Sequence, residues 1–163
     1  MKIKEFLQNK CEWVAPEIES SEEKTQMIVC GFLDEEFPEV LYLPSLFELA
    51  VKFAKHQQSA IMKAYRLGYK KGNQDLWLIF PKDSPAKHKV MLLELKKPGE
   101  KIYKKNGTLK SPHLIEQAKK IIETRQNGWY SDFCIGSNDA KHRIYWNMRE
   151  CDISPPMILK GVL

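Results

Sequence analysis

Two apolar runs separated by a polar connection constrain the fold more than any other feature of this chain. The first run covers residues 76–80, directly after Asp75, and the second covers residues 90–95. The intervening residues 81–88 are mostly polar and contain two prolines, which is typical of a connection between paired strands. The sequence therefore predicts a two-stranded hairpin at the centre of the fold.

The second run ends with charged residues in an otherwise buried pattern. Its consecutive apolar residues indicate a strand that is covered on both faces. Because side chains alternate along a strand, Glu94 and Lys96 share one face while Leu93 and Leu95 point away. Ionised groups in such a place are costly unless they are paired or bind a metal ion. The alternative is a strand end at which both charges simply reach water.

Asp75 favours a functional site over that alternative. If the two strands pair in antiparallel fashion, Asp75 and Glu94 lie at the same edge of the sheet, with Lys96 beside them. Two converging carboxylates repel each other and therefore need a cation, and hard oxygen ligands select Mg²⁺ or Mn²⁺. A lysine beside that cation can hold or deprotonate a water aimed at a phosphate. The arrangement predicts phosphodiester hydrolysis.

Five short blocks surround these residues in a fixed order along the chain. They are GYKKGNQDL (68–76), LELKKPG (93–99), HLIEQ (113–117), NGWY (127–130) and GSNDA (136–140). Together with Asp75 and Glu94-Leu95-Lys96, this series resembles the VRR-NUC branch of the PD-(D/E)XK nuclease superfamily, the virus-type replication and repair nuclease domain. The resemblance covers about residues 20–148.

Two departures from the family pattern stand out. Gln74 precedes the aspartate where the family usually has proline, which affects local backbone geometry rather than the ligands. The segment between Leu43-Pro44-Ser45 and Gly68 is also longer than the family pattern, with residues 46–55 inserted.

The resemblance implies a fold class and an organisation. We expect an α/β fold with a PD-(D/E)XK nuclease-like core, in which a small mixed β-sheet is flanked by helices. Residues 1–163 are expected to form a single domain, with residues 1–19 and 149–163 as terminal extensions. The resemblance is to stand-alone members of viral or phage type, which implies the host cell of a virus or phage as a location. An intracellular location is also expected from the cysteine pattern and from the lack of a signal-peptide or membrane-spanning run.

The resemblance also implies roles for the central residues. Asp75 and Glu94 are expected to hold Mg²⁺, for which Mn²⁺ can substitute, with the Leu95 carbonyl as a further ligand. Lys96 is expected to orient or activate the attacking water. Gln117 matches the glutamine that the family places next to its lysine, where it would hold Lys96 or the attacked phosphate.

The first helix of the family supplies one more acid to the metal site. Glu22 and Glu23 both match this position, and we select Glu23. Glu23 also fits a capping box that begins at Ser20, which is the structural alternative for this residue.

Basic residues flank the predicted site on both sides, in a chain with a formal net charge of +5. Lys70, Lys71 and Lys97 are expected to contact DNA phosphates, as is His113; an ordinary solvated surface would also be rich in lysine. The resemblance implies branched or structured DNA as substrate, in replication, recombination or repair, and by analogy with stand-alone members it implies a homodimer. A sequence-specific restriction-type nuclease and a non-catalytic DNA-binding module are the alternatives.

The cysteine pattern and hydropathy narrow the class of protein further. Cys11, Cys30, Cys134 and Cys151 are widely spaced without a CxxC pair, so we expect reduced thiols rather than a zinc site or disulfides. No apolar run approaches the ~18 residues of a membrane span, and the first residues lack the apolar core of a signal peptide.

Local patterns predict the remaining elements. A helix begins near Ser20 or Ser21, a short strand covers residues 40–43, and one or two helices occupy residues 45–67. Ser111-Pro112 begins a helix that ends at Gly128, followed by a strand at 130–135 and a helix at 138–148. Four aromatic residues are expected in the core rather than as base-stacking platforms: Tyr69, Trp77, Trp129 and Tyr130.

Overall fold

The computed structural model describes residues 2–44 and 74–159. These residues form four helices and four strands. In chain order they are α1 (Ile3–Lys10), α2 (Glu22–Glu36), β1 (Leu41–Pro44), β2 (Leu76–Ile79), β3 (Val90–Lys96), α3 (Pro112–Gln126), β4 (Tyr130–Ile135) and α4 (Ser137–Asn147).

The four strands form one mixed sheet in the order β1-β2-β3-β4. The β1–β2 and β2–β3 pairs are antiparallel, and the β3–β4 pair is parallel with α3 in the connection. Leu76 lies opposite Leu93 in the β2–β3 register. The predicted hairpin is therefore confirmed, as is the small mixed sheet flanked by helices.

The helices cover both faces of this sheet. The larger core lies on one face, where α1, α2 and α4 contribute Leu7, Leu33 and Tyr145 to the strand residues Leu78 and Leu93. On the other face, α3 packs a smaller cluster that consists of Ile102, Leu114, Ala118, Ile121, Phe133 and Leu159. Because both faces are covered, β3 is buried from Met91 to Lys96, as its sequence predicts.

The start of α2 differs from the predicted capping box by one residue. Ser21 is the N-cap, and its hydroxyl accepts a hydrogen bond from the Lys24 amide at 3.2 Å. The box of Ser20 with Glu23 is therefore wrong. The predicted start of α3 is confirmed, since the Ser111 hydroxyl accepts from the Leu114 amide and proline follows the cap.

Both predicted terminal extensions pack onto the central fold. Residues 3–10 form α1, which the sequence patterns did not predict, and the Asn138 side chain binds both the amide and the carbonyl of Val14. At the other end, Asp132 accepts hydrogen bonds from the amides of Ile158 and Leu159. The single-domain organisation stays a prediction.

Some sequence predictions concern residues outside the described ranges, and one placement of an aromatic residue was wrong. The helices expected within residues 45–67, together with Tyr69, Lys70 and Lys71, lie outside the described residues. Tyr130 is buried as expected and Trp77 is partly buried, but Trp129 is 44% exposed, so its placement in the core was wrong. Among the described helices, none combines the length and apolar character that a membrane span requires.

Candidate active site

The antiparallel register brings Asp75 to the end of β3. Asp75 directly precedes Leu76, and Leu76 lies opposite Leu93, so Asp75 lies beside Glu94. Its Oδ2 accepts a hydrogen bond of 2.8 Å from the Leu95 amide. This bond fixes the first carboxylate against the strand that carries the second one.

Glu94 and Lys96 point to the same face, as the strand alternation predicts. Both are almost completely buried, with relative exposures of 1% and 3%. The Lys96 Nζ lies 3.0 Å from Glu94 Oε1 and also 3.0 Å from Glu22 Oε1. Lys96 therefore joins the strand to the first turn of α2.

Burial and mutual repulsion oppose ionisation of the two central carboxyls. Burial is the main cause that raises the pKa of Asp75 to about 6, although Lys96 acts in the opposite direction. Burial and the neighbouring Asp75 raise the pKa of Glu94 well above its usual value. A cation bound between them would relieve both effects.

Lys96 remains charged in this environment. Burial alone would lower the pKa of its ammonium, but the carboxylates of Glu94, Glu22 and Asp75 outweigh burial and raise it. A lysine that holds its proton so firmly is a poor general base. Its chemical capacity is to donate hydrogen bonds and to supply positive charge.

Gln117 is the fourth member of the cluster. It lies on α3 with 6% exposure, and its Nε2 donates to Glu94 Oε1, the oxygen that Lys96 also contacts. Within the described residues, the other oxygens of both side chains, Glu94 Oε2 and Gln117 Oε1, are buried without a hydrogen-bond partner. Buried acceptors of this kind are normally satisfied, so these two atoms need a donor or a cation.

The potential metal ligands in this cluster are of the kind that a hard divalent cation prefers. Two carboxylates, an amide oxygen and the nearby main chain supply only oxygen ligands. Within residues 2–44 and 74–159, no group of three or more His, Cys, Asp and Glu side chains is arranged to hold a metal ion. Mg²⁺ commonly binds through only one or two carboxylates and keeps several waters. The residues present therefore fit such an ion.

Glu22, in the first turn of α2, lies next to Lys96. Its carboxylate contacts Lys96, and its side chain is 46% exposed. Glu23, which the sequence analysis selected, is an exposed residue of the same helical turn. The cap at Ser21 makes Glu22 the first residue of the helix, and the choice of Glu23 as the first-helix acid stays a prediction.

Gln74 explains how the fold accommodates the missing proline. Its side chain is 3% exposed, and its Nε2 donates to Thr124 Oγ1 at 3.1 Å and to Ser131 Oγ at 3.4 Å. These bonds connect the residue before Asp75 to α3 and to β4. A fixed side chain thus anchors the backbone at this position.

Glu19 is a buried acid that sequence reasoning missed. It is 2% exposed and accepts hydrogen bonds from the amide and the hydroxyl of Ser137, at 2.7 and 2.9 Å. The preceding Gly136, at φ 80°, donates its amide to the Lys96 carbonyl at 2.7 Å. A β-carbon at Gly136 would lie 3.0 Å from Pro98 Cγ. The GSNDA block was the available signal, and these contacts hold the end of β3 in place.

The structure places the expected DNA-contacting residues that it describes at the surface. Lys97 is exposed directly after Lys96, and His113 is exposed in the first turn of α3. Both stay predictions as DNA contacts.

Comparison with known proteins identifies the fold. The structure is similar to that of a solved protein named VRR_NUC domain protein, with a TM-score of 0.52 and 18% sequence identity. The match covers 86% of this chain and 98% of that protein. No family model matches the sequence, and no curated protein matches it.

At this level of identity the similarity establishes the fold. The predicted α/β class, with a small mixed sheet flanked by helices, is therefore confirmed, and this fold is similar to that of a VRR_NUC domain protein. The stand-alone viral or phage type, the intracellular location and the homodimer stay predictions.

Proposed function

We propose that this protein is a divalent-metal-dependent DNA endonuclease that hydrolyses phosphodiester bonds. The observation that carries the proposal is the buried cluster of Asp75, Glu94, Lys96 and Gln117 at one sheet edge. Two buried oxygens of this cluster, within the described residues, have no hydrogen-bond partner. Such a cluster destabilises the fold unless a ligand satisfies it, and the fold is one that a VRR_NUC domain protein shares.

Asp75, Glu94 and the Leu95 carbonyl are the residues proposed to hold Mg²⁺ or Mn²⁺, with Gln117 Oε1 as a further oxygen. A bound divalent ion supplies Lewis-acid stabilisation of the negative charge that develops on the phosphoryl oxygens. The Leu95 amide bond to Asp75 fixes the orientation of that carboxylate. The hydrogen bond from Gln117 Nε2 fixes the orientation of the Glu94 carboxylate in the same way.

Lys96 orients the attacking water and stabilises the phosphate in this proposal. Its raised pKa keeps the ammonium protonated, so it donates hydrogen bonds rather than accepting the proton of the water. Glu22 is the partly exposed carboxylate beside it. We assign Glu22 as the group that receives this proton, while the new bond to phosphorus forms and the bond to the leaving oxygen breaks.

Branched or structured DNA is the proposed substrate. This choice depends on the resemblance of the five sequence blocks to the VRR-NUC branch and on the exposed lysines next to the cluster. Lys97 follows Lys96 directly, and Lys101 and Lys104 follow on the next loop, all of them exposed. Lysines contact phosphates without reading sequence, which suits recognition of DNA shape.

The test is cleavage of labelled DNA in Mg²⁺ by the wild-type protein and by the Lys96→Ala variant. The panel contains plain duplex, single strand, flap, splayed arm and four-way junction. The proposal predicts that wild type cuts at least one branched form in preference to duplex, and that Lys96→Ala loses about a hundredfold or more in rate. Lys89→Ala is the matched control, because Lys89 is an exposed lysine at the opposite end of the hairpin.

Two other outcomes of this experiment would each reject a part of the proposal. Binding without cleavage by wild type in Mg²⁺ and in Mn²⁺ would reject the nuclease proposal and leave a DNA-binding module. Cleavage at one short motif in plain duplex would reject structure selectivity in favour of a restriction-type enzyme.

A further inference from the structure

A cavity of about 650 Å³ lies between the N-terminal segment, α4 and the C-terminal segment. Its size is within the range of small-molecule sites. Most of its wall is apolar or aromatic, with contributions from Ile3, Trp13, Pro16, Pro98, Ile153 and Pro156. None of these residues belongs to the catalytic cluster proposed above.

The cavity adjoins the sheet edge that carries the candidate active site. Gly136 and Pro98 line it, and both are next to the end of β3. The Gly136 amide donates to the Lys96 carbonyl, and Pro98 follows Lys96 by two residues. A polymer bound across the candidate site would therefore pass close to the cavity.

Four of the polar side chains that line the cavity, those of Glu19, Asn138, Asp139 and His142, already have hydrogen-bond partners. Glu19 accepts from Ser137, and Asn138 uses both ends of its amide on Val14. Asp139 accepts from the Ile135 amide and pairs with Arg143 at 3.2 Å. The wall therefore offers apolar surface rather than hydrogen-bond groups, which suits a flat aromatic ligand of any hydrogen-bonding pattern.

Lysines border this apolar surface, and two carboxylates that are already hydrogen-bonded, those of Glu19 and Asp139, also line the cavity. Lys2 lines the cavity and is exposed. The Lys4 Nζ lies over one face of the Trp13 ring, 5.7 Å from its centre, and Lys97 is exposed beside Pro98. An apolar aromatic recess bordered by lysines complements a nucleotide, whose base is flat and whose phosphate is negative.

We propose that this cavity accepts one unpaired nucleobase of the DNA strand bound at the candidate active site. Trp13 supplies the aromatic surface, and the lysines contact the adjoining phosphates. The choice of DNA as ligand rests on the proposed nuclease function. Because the wall is mainly apolar and four of its polar side chains are already hydrogen-bonded, the site takes an unpaired base with little regard to its identity.

The test compares two short oligomers of equal length and charge, an oligothymidylate and its abasic-sugar counterpart. Binding is measured by NMR titration of the wild-type protein in the presence of EDTA. The signal that is followed is the indole N–H resonance of Trp13, which is assigned by its disappearance in the Trp13→Phe variant. We expect the oligothymidylate to bind about tenfold more tightly, as stacking of one base on an aromatic side chain predicts. We also expect it to shift the Trp13 resonance.

Two tryptophan substitutions locate the effect without disturbing the core. Ser154 lines the cavity and is exposed, so Ser154→Trp should block the cavity and abolish the preference for bases. Met157 is an exposed residue of the same segment outside the cavity wall, so Met157→Trp should keep the preference. The exposed Trp129 is a rival stacking surface, and Trp129→Ala should also keep the preference.

Equal binding of the two oligomers by wild type would overturn the proposal. A preference that survives Ser154→Trp or disappears in Trp129→Ala would also overturn it. These measurements need no cleavage, so they separate the two proposals. Base preference without cleavage would reject the nuclease function alone, whereas cleavage without base preference would reject the cavity alone.

Discussion

At the scale of single residues, the cluster holds charges in a place that disfavours them. Asp75 and Glu94 lie side by side at the end of a buried strand, and burial raises the pKa of both carboxyls. Lys96 compensates them only in part, because it is also shared with Glu22. Residues that oppose folding but complement a bound ligand are characteristic of functional sites.

Removal of the Asp75 charge should stabilise the metal-free protein. The folded-state pKa of Asp75 is about 6, above its ordinary value of 3.8. The stabilisation from protonated Asp75 is therefore complete below pH 3.8 and is lost as the pH rises through 6. In EDTA at neutral pH, Asp75→Asn should raise the free energy of unfolding by about 1–3 kcal/mol.

Urea denaturation of wild type and Asp75→Asn at acidic and neutral pH measures this effect. The gain should shrink as the pH falls below 6. Asp83→Asn, in the exposed connection of the hairpin, is the control and should show no such gain. A loss of stability in Asp75→Asn at neutral pH would contradict the repulsion described here.

Glu22 and Glu23 differ in their predicted effect on catalysis. Glu22→Gln should reduce the cleavage rate by about a hundredfold, since it removes the proposed proton acceptor beside Lys96. Glu23→Gln should change the rate by less than about threefold. Single-turnover cleavage of the same DNA by both variants decides the assignment, and the reverse order of effects would restore Glu23.

At the scale of elements, the strands were easier to predict than the start of a helix. Strand alternation has a period of two, so it fixed which face Glu94 and Lys96 share and which edge Asp75 reaches. Either of two adjacent serines before α2 can serve as the N-cap, and only Ser20 has a glutamate three residues later, but the structure uses Ser21. That one-residue difference moves Glu22 to the first position of the helix. The local sequence pattern did not determine which serine is the N-cap.

The capping residue of α2 gives a prediction about stability. Ser21→Ala should lower the free energy of unfolding by about 1 kcal/mol, because the Lys24 amide loses its acceptor. Ser20→Ala should change it by less than about 0.5 kcal/mol. Thermal or urea denaturation of the two variants measures this difference, and equal losses would contradict the assigned cap.

At the scale of the whole molecule, hydrogen bonds between a buried side chain of β4 and backbone amides join the segment around residues 158–159 to the sheet. Asp132 is fully buried, pairs with Arg143 at 3.1 Å and Arg125 at 3.0 Å, and accepts the amides of Ile158 and Leu159. The sequence shows Asp132 only as an acid inside an apolar strand. Contacts of this kind have no periodic signature, so residues 149–159 were expected only as an extension.

Asp132→Ala should therefore destabilise the protein strongly. It removes one of the two carboxylates that pair with the buried Arg143, removes the carboxylate that pairs with Arg125 and releases two amides, with an expected loss of about 3–5 kcal/mol. The rate of amide hydrogen exchange should increase more at Ile158 and Leu159 than in β3. Asp152→Ala, at an exposed position, should leave stability and exchange unchanged. Unaltered exchange at Ile158 and Leu159 in Asp132→Ala would contradict this account.

Cation binding at the Asp75–Glu94 edge is the central property proposed for this protein. Calorimetric titration of Mn²⁺ into the wild-type protein, without DNA, tests it. We predict a saturable site that is lost in Asp75→Ala and kept in Asp83→Ala, where the altered aspartate is exposed in the hairpin connection. Absence of Mn²⁺ binding by wild type, or binding that Asp75→Ala leaves unchanged, would contradict the assignment of this cluster as a metal site.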